Sequence, residues 1–122
     1  MKKIFAALLL IGCSSQPVTA EKARQKSIVS VKNDTDSNTI VYFSFGADSK
    51  VLPSNWQFCT ATAKLNCNFP LAAHGSQSLP LNGQYLNTTI SFGSQGCNAT
   101  KAELNVNNPK WYDTLDISLV DG

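Results

Sequence analysis

The feature that most constrains the fold of this chain is a series of short candidate strands at roughly ten-residue spacing, of which 39–45 is the richest in β-branched and aromatic residues. These segments are 27–33, 39–45, 76–81, 84–92, 101–106 and 114–120. The segment 101–106 alternates apolar and polar residues, which is the period of a strand with one buried face. Eleven asparagines, with scattered glycines and prolines, supply turn signals between the segments. The pattern therefore predicts an all-β antiparallel sandwich or barrel.

The N-terminal residues 1–20 predict an export signal rather than part of the fold. Lys2 and Lys3 precede a short apolar run, and a Val-Thr-Ala cleavage site ends at Ala20. The sequence Leu-Ile-Gly-Cys before Ser14 also resembles a bacterial lipobox, in which the thiol of Cys13 would be acylated and held at a membrane. The alternatives are therefore a lipoprotein of the cell envelope and a secreted or periplasmic protein cleaved after Ala20.

The rest of the chain predicts a short tether at 21–26 and one domain at 27–122. Removing two lysines with the leader leaves eight basic against eight acidic residues, so the mature chain is formally neutral. This balance does not favour nucleic-acid binding. His74 is the only histidine and the cysteines lack metal-ligand spacing, so we expect no metal and no cofactor.

Three cysteines follow the leader, and an odd number is unusual for an exported domain. Cys59 and Cys67 are close enough in sequence to close a small hairpin loop, and we predict that they form a disulfide. Cys97 is then left without a partner. It is either a free or intermolecular thiol, or its partner lies in sequence beyond this chain.

The carboxylates near the end of the chain differ in their surroundings. Glu103 lies on the polar side of its alternating segment, where a solvated acid is the simplest interpretation. Asp113 follows a loop and is most simply a turn residue. Asp116 and Asp121 bracket apolar residues, and an acid beside an apolar strand needs a hydrogen-bond partner or a wet cleft. Strict alternation puts these two on opposite faces, so a shared cleft would require the strand to bend or end.

The last residues, AELNVNNPKWYDTLDISLVDG, resemble the thaumatin-like, or pathogenesis-related group 5, family. That family has a Leu-Ala-Glu strand, a variable loop and an Asp-Ile/Val-Ser-Leu-Val-Asp-Gly strand. The resemblance implies an antiparallel β-sandwich of thaumatin-like type with an acidic cleft that contains Glu103, Asp116 and Asp121. In that cleft Glu103 would be the general acid and one of the two aspartates the second carboxylate. Trp111 and Tyr112, with the adjacent Asp113, would form a sugar-binding surface.

The resemblance implies an exported protein that binds a polysaccharide, β-1,3-glucan, with possible antifungal activity or weak endo-β-1,3-glucanase activity. The alternative is a non-enzymatic module of the cell envelope whose acids only hold loops. The family's arginine that pairs with the cleft acids is missing from the matching segment 86–92, which favours binding over catalysis. The family pattern also continues past Gly122, so we expect the domain to be incomplete at its C-terminus, unless the chain is a small variant that folds alone.

Overall fold

A computed structural model describes residues 6–10, 27–94 and 99–118 of the chain. Its nine strands are β1 (Ala6–Leu10), β2 (Ile28–Lys32), β3 (Thr39–Phe45), β4 (Thr60–Ala63), β5 (Asn66–Leu71), β6 (Ser76–Leu79), β7 (Leu86–Phe92), β8 (Lys101–Val106) and β9 (Thr114–Ser118). A single 3-10 turn, Pro53–Asn55, lies between β3 and β4. In the described residues the fold is all-β and antiparallel, as the sequence pattern predicts.

The strands form two sheets. The larger has six strands in the order β4-β5-β3-β7-β8-β9, and the smaller has three in the order β1-β2-β6. Consecutive strands β7, β8 and β9 are neighbours in the larger sheet, so the C-terminal segments form a meander at one side of it. This arrangement brings the acidic C-terminal segment alongside β8.

One buried cluster of apolar side chains joins the two sheets into a sandwich. Alternate residues of β3, β7 and β8 contribute to it, as expected for strands with one buried face. The smaller sheet contributes Val29 and Val31 of β2 and Leu79 of β6. The apolar side chains of β9 are less buried than those of the neighbouring β8: Leu115 is half-buried and Ile117 is 46% exposed.

Strands β4 and β5 form a hairpin that the sequence analysis treats only as a disulfide loop. Asparagines and Pro70 interrupt the β-forming residues of β5, and a proline inside a run argues against a strand. The pairing of β4 with β5 ends at Thr60 and Asn68, so Pro70 is paired only with Ile40 of β3. The proline is tolerated because that end of β5 has a strand on one side only.

The predicted disulfide is confirmed: Cys59 and Cys67 are bonded, with Cα atoms 5.5 Å apart. Both cysteines belong to the buried core: Cys59 directly precedes β4, and Cys67 lies in β5. The bond closes a short loop of the chain, which lowers the entropy of the unfolded state.

Replacing both Cys59 and Cys67 by alanine should lower the free energy of unfolding by about 2–3 kcal/mol, the value expected from the closure entropy of a loop this short. Urea unfolding followed by circular dichroism measures this loss. The wild-type protein with its disulfide reduced serves as the control and should lose a similar amount. A loss below about 0.5 kcal/mol in both would contradict the stabilising role.

Strand β1 lies inside the predicted leader. It pairs with β2 in antiparallel register, from Ala6 opposite Lys32 to Leu10 opposite Ile28. This pairing belongs to the uncleaved chain, and the export signal remains a prediction about processing. Within the described segments, no helix combines the length and apolar character needed to cross a membrane. Cys13 and Cys97 lie outside the described residues.

Candidate functional site: the outer face of the six-stranded sheet

The larger sheet has an outer face, formed by the side chains that point away from the core. Ser44 of β3 pairs with Thr89 of β7, Thr89 pairs with Glu103 of β8, and Glu103 pairs with Asp116 of β9. Directly paired residues have side chains on the same side of a sheet, so these four form one polar row across four strands. The neighbouring polar residues of this face are Tyr42, Asn66, Asn68, Asn87, Ser91, Lys101, Asn105 and Thr114.

Two shallow grooves lie on this face. The acidic groove has a volume of about 180 Å³ and polar lining residues Asn87, Glu103, Asn105, Thr114 and Asp116. The second, here called the Lys101 groove, has a volume of about 290 Å³ and polar lining residues Tyr42, Ser44, Asn66, Thr89, Ser91 and Lys101. The pairing of Thr89 with Glu103 makes the two grooves neighbours.

Glu103 and Asp116 occupy directly opposed positions on β8 and β9, and both are exposed. Like charges directly opposite each other on paired strands are destabilising. Among the described residues the one ion pair is His74 with Asp36, so no cation within ion-pair distance offsets the repulsion. Two of the three acids predicted for a cleft are therefore adjacent and available to a ligand. The third, Asp121, lies outside the described residues.

Asp113, predicted as a ligand-binding residue next to the aromatic pair, has both carboxylate oxygens engaged within the protein. Oδ1 accepts a hydrogen bond from the backbone N–H of Asn107 at 2.8 Å, and Oδ2 accepts one from the hydroxyl of Ser27. Asn107 is buried and has a positive φ of 62°. The carboxylate of Asp113 thus closes the β8–β9 loop and ties it to the start of β2.

Trp111 and Tyr112 lie in the same loop and are 69% and 82% exposed. Their rings are 6.3 Å apart and steeply inclined to each other, so they do not form one flat platform. Neither residue lines the acidic groove. They remain candidates for stacking on a sugar at the edge of the site.

The two grooves also contain residues that were not predicted as site residues from the sequence. These are Lys101, Asn105, Asn87 and Tyr42. The alternation of 101–106 already puts Lys101 and Asn105 on the same side as Glu103, so that signal was available in the sequence. The positions of Asn87 and Tyr42 depend on the order of strands in the sheet, which the sequence pattern does not give. The carboxylates are therefore only part of the groove, and its two amides are brought together by the order of the strands.

The described residues contain no group of three or more histidine, cysteine, aspartate or glutamate side chains arranged to hold a metal ion. His74 lies in the β5–β6 loop, with its Nε2 2.7 Å from Oδ1 of Asp36. The acidic groove contains two carboxylates with amide and hydroxyl groups around them. Such a set can accept hydrogen bonds from a ligand with several hydroxyl groups.

No protein-family model, no curated protein and no solved structure matches this chain.

Proposed function

We propose that this chain is an exported carbohydrate-binding protein of thaumatin-like type, which binds β-1,3-glucan on the outer face of its larger sheet. The observation that supports the proposal best is the exposed pair Glu103 and Asp116. The two carboxylates lie directly opposite each other, form no described ion pair and line a groove among amides and a hydroxyl. A protein that only needed a stable strand pair would gain from an opposite charge at one of these positions.

The composition of the outer face suits a neutral polysaccharide. Carboxylates are strong acceptors for sugar hydroxyl groups, whereas the side chains of Lys101 and Asn66 can donate hydrogen bonds to ring and hydroxyl oxygens. Tyr42 of the Lys101 groove supplies an aromatic surface with a polar end. An anionic polymer would meet the uncompensated charge of Glu103 and Asp116, so a neutral glucan is the better partner.

Binding is proposed as the main function, and any hydrolysis of the glucan as weak. Glycoside hydrolysis needs a protonated carboxylic acid on one side of the bond and a carboxylate on the other. Enzymes separate these two roles by giving the carboxyl groups different surroundings, such as an apolar pocket for the acid. Glu103 and Asp116 are both exposed members of one polar row, so the described residues build no such contrast.

The proposal is tested by co-sedimentation of the protein with insoluble β-1,3-glucan. The double variant Glu103→Gln with Asp116→Asn keeps the shape of the groove and removes its charge. We expect its affinity to fall about tenfold, which corresponds to a loss of about 1.4 kcal/mol from weakened charge-assisted hydrogen bonds. Its free energy of unfolding should stay the same or rise by a few tenths of a kcal/mol, because the repulsion is removed.

Asp34→Asn is the matched control. Asp34 is an exposed acid in the β2–β3 loop, so this change alters the net charge without altering the groove. It should bind like the wild type. Equal binding by the wild type and the double variant would refute the role of the acid pair. No binding by either, with a clear loss of stability in Asp116→Asn, would instead favour a structural module of the cell envelope.

A further inference from the structure

The amide side chains beside the acid pair are held by a residue outside the groove. Nδ2 of Asn87 donates a hydrogen bond to Oδ1 of Asp48 at 2.7 Å. Nδ2 of Asn105 donates to the hydroxyl of Tyr85 at 2.8 Å, and that hydroxyl donates a long hydrogen bond of 3.5 Å to Oδ2 of Asp48. One carboxylate therefore accepts, directly or through Tyr85, from both amides of the acidic groove.

Asp48 is itself fixed because its loop is anchored to the start of β7. The backbone N–H of Gly46 donates to the carbonyl of Asn87 at 2.8 Å. The N–H groups of Lys50 and Val51 donate to the carbonyl of Tyr85 at 2.9 and 3.0 Å. The loop 46–51 thus has backbone hydrogen bonds on both sides of Asp48, which hold the backbone of that residue beside the start of β7.

The glycine at position 46 is required by the same contact. A Cβ atom there would lie 2.4 Å from Nδ2 of Asn87 and 3.0 Å from Oδ1 of Asp48. Real Cβ atoms essentially never show a contact of 2.4 Å, so an alanine would displace the side-chain amide of Asn87. The close approach of backbone and amide is a reason for glycine at this position.

We infer that Asp48 is a positioning residue of the glucan site, an inference that rests on the function proposed above. Because Asp48 and Tyr85 engage an N–H of each amide, the Asn87 and Asn105 side chains are fixed in orientation next to Glu103 and Asp116. The cross-strand pairing of Asn87 with Asn105 puts the two amides side by side in the groove. Groups that are already oriented lose less entropy when they bind a ligand.

The test is the variant Asp48→Ala, compared with Asp48→Asn and Gly46→Ala. The first readout is the ¹H–¹⁵N spectrum of the side-chain amides of Asn87 and Asn105, which needs no ligand. We expect these signals to shift in Asp48→Ala and the Asn87 signal to shift in Gly46→Ala. Asp48→Asn keeps an acceptor oxygen in place and should shift them less. Because Asp48 is exposed, the melting temperature of the Asp48→Ala variant should differ little from that of the wild type.

The second readout is the affinity for a β-1,3-linked glucose hexasaccharide, which should fall about five- to tenfold in Asp48→Ala and about twofold in Asp48→Asn. If the wild type binds no hexasaccharide while the amide signals shift as expected, the proposed function fails and the positioning role stands. If the signals of Asn87 and Asn105 are unchanged in both Asp48→Ala and Gly46→Ala, the inference is overturned, whatever the affinities are.

Discussion

Replacing Trp56 by alanine should lower the free energy of unfolding by about 3–5 kcal/mol, the range for removing a large aromatic side chain from a core. Trp56 is 2% exposed and follows the 3-10 turn. Its ring lies 5.2 Å from that of Phe43, 5.3 Å from that of Phe45 and 5.4 Å from that of Phe58. The alanine variant would leave a cavity that these neighbours cannot fill without leaving their own positions.

Trp56 also makes a hydrogen bond that a smaller aromatic residue cannot replace. Its Nε1–H donates to the carbonyl of Pro80 at 2.8 Å, and the bond links the end of the 3-10 turn to the segment after β6. Trp56→Phe should therefore cost an intermediate amount, about 1–3 kcal/mol, because the carbonyl loses its partner while most of the ring packing remains. The loss in Trp56→Phe mainly reports the hydrogen bond, and the further loss in Trp56→Ala mainly reports the packing of the ring.

Urea unfolding followed by circular dichroism measures both losses without relying on the indole as a probe. Trp111→Ala is the matched control, because Trp111 is mostly exposed and its removal should change stability by less than about 0.5 kcal/mol. A loss below about 1 kcal/mol in Trp56→Ala would contradict the position of Trp56 in the core.

The second large effect is expected for Asn33→Asp, a change of one amide group to a carboxylate of the same shape. Asn33 is 0% exposed. Its Nδ2 donates to the backbone carbonyls of Ser37 at 2.8 Å, Ala72 at 3.1 Å and Leu71 at 3.3 Å. An aspartate would turn an acceptor towards these acceptors, and the loss of the donor to a buried carbonyl, such as that of Leu71, costs about 1–3 kcal/mol. We expect a total loss on the order of 3–5 kcal/mol at neutral pH.

The destabilisation by Asn33→Asp should depend on pH. Burial without a cation raises the pKa of the introduced carboxyl in the folded protein above the value of about 3.9 in the unfolded chain. The folded state then binds a proton that the unfolded state has lost, so the penalty grows as the pH rises above about 4 and is relieved as the pH falls. A protonated aspartate can also donate one hydrogen bond again. Unfolding curves at several pH values measure this recovery.

Asn38→Asp is the matched control for this prediction. Asn38 lies in the same loop, but its Oδ1 accepts a hydrogen bond from the N–H of Ala73 at 3.0 Å. A carboxylate can accept that bond equally well, so the change should be close to neutral at pH 7. If Asn33→Asp and Asn38→Asp lowered the free energy of unfolding equally, the hydrogen bonds donated by Nδ2 of Asn33 would not explain the loss, and the prediction would be wrong.

Much of the larger sheet follows from local sequence. Strands β3 and β7 are predicted because β-branched and aromatic residues there are bounded by turn signals, and β8 because its apolar and polar residues alternate. The polar side of β8 also follows from this alternation. The opposition of Glu103 and Asp116 does not, because it depends on how many residues the loop 107–113 uses to reverse the chain. The carboxylate of Asp113 holds this loop by accepting a hydrogen bond from the N–H of Asn107. The six-residue separation of these two residues corresponds to no standard turn, so the sequence pattern does not reveal the contact.

Other parts of the fold depend on contacts between residues far apart in sequence. Asn33 is the last residue of the predicted segment 27–33, where a polar side chain gives no sign of burial, yet it is buried and binds the end of β5. Trp56 lies outside every predicted strand and still packs at the centre of the aromatic cluster. The role inferred for Asp48 has the same origin, because its partner Asn87 is brought to it by the pairing of β3 with β7. Local patterns give the strands, whereas the order of the strands selects which polar residues meet.

The most direct test of glucan binding on the outer face is a titration of ¹⁵N-labelled protein with a β-1,3-linked glucose hexasaccharide. We expect the backbone amides that shift most to belong to the row of Thr89, Glu103 and Asp116 and to their neighbours on β7, β8 and β9. Shifts confined to other surfaces, such as the β2–β3 loop, would contradict it. An unchanged spectrum at millimolar hexasaccharide would contradict it as well.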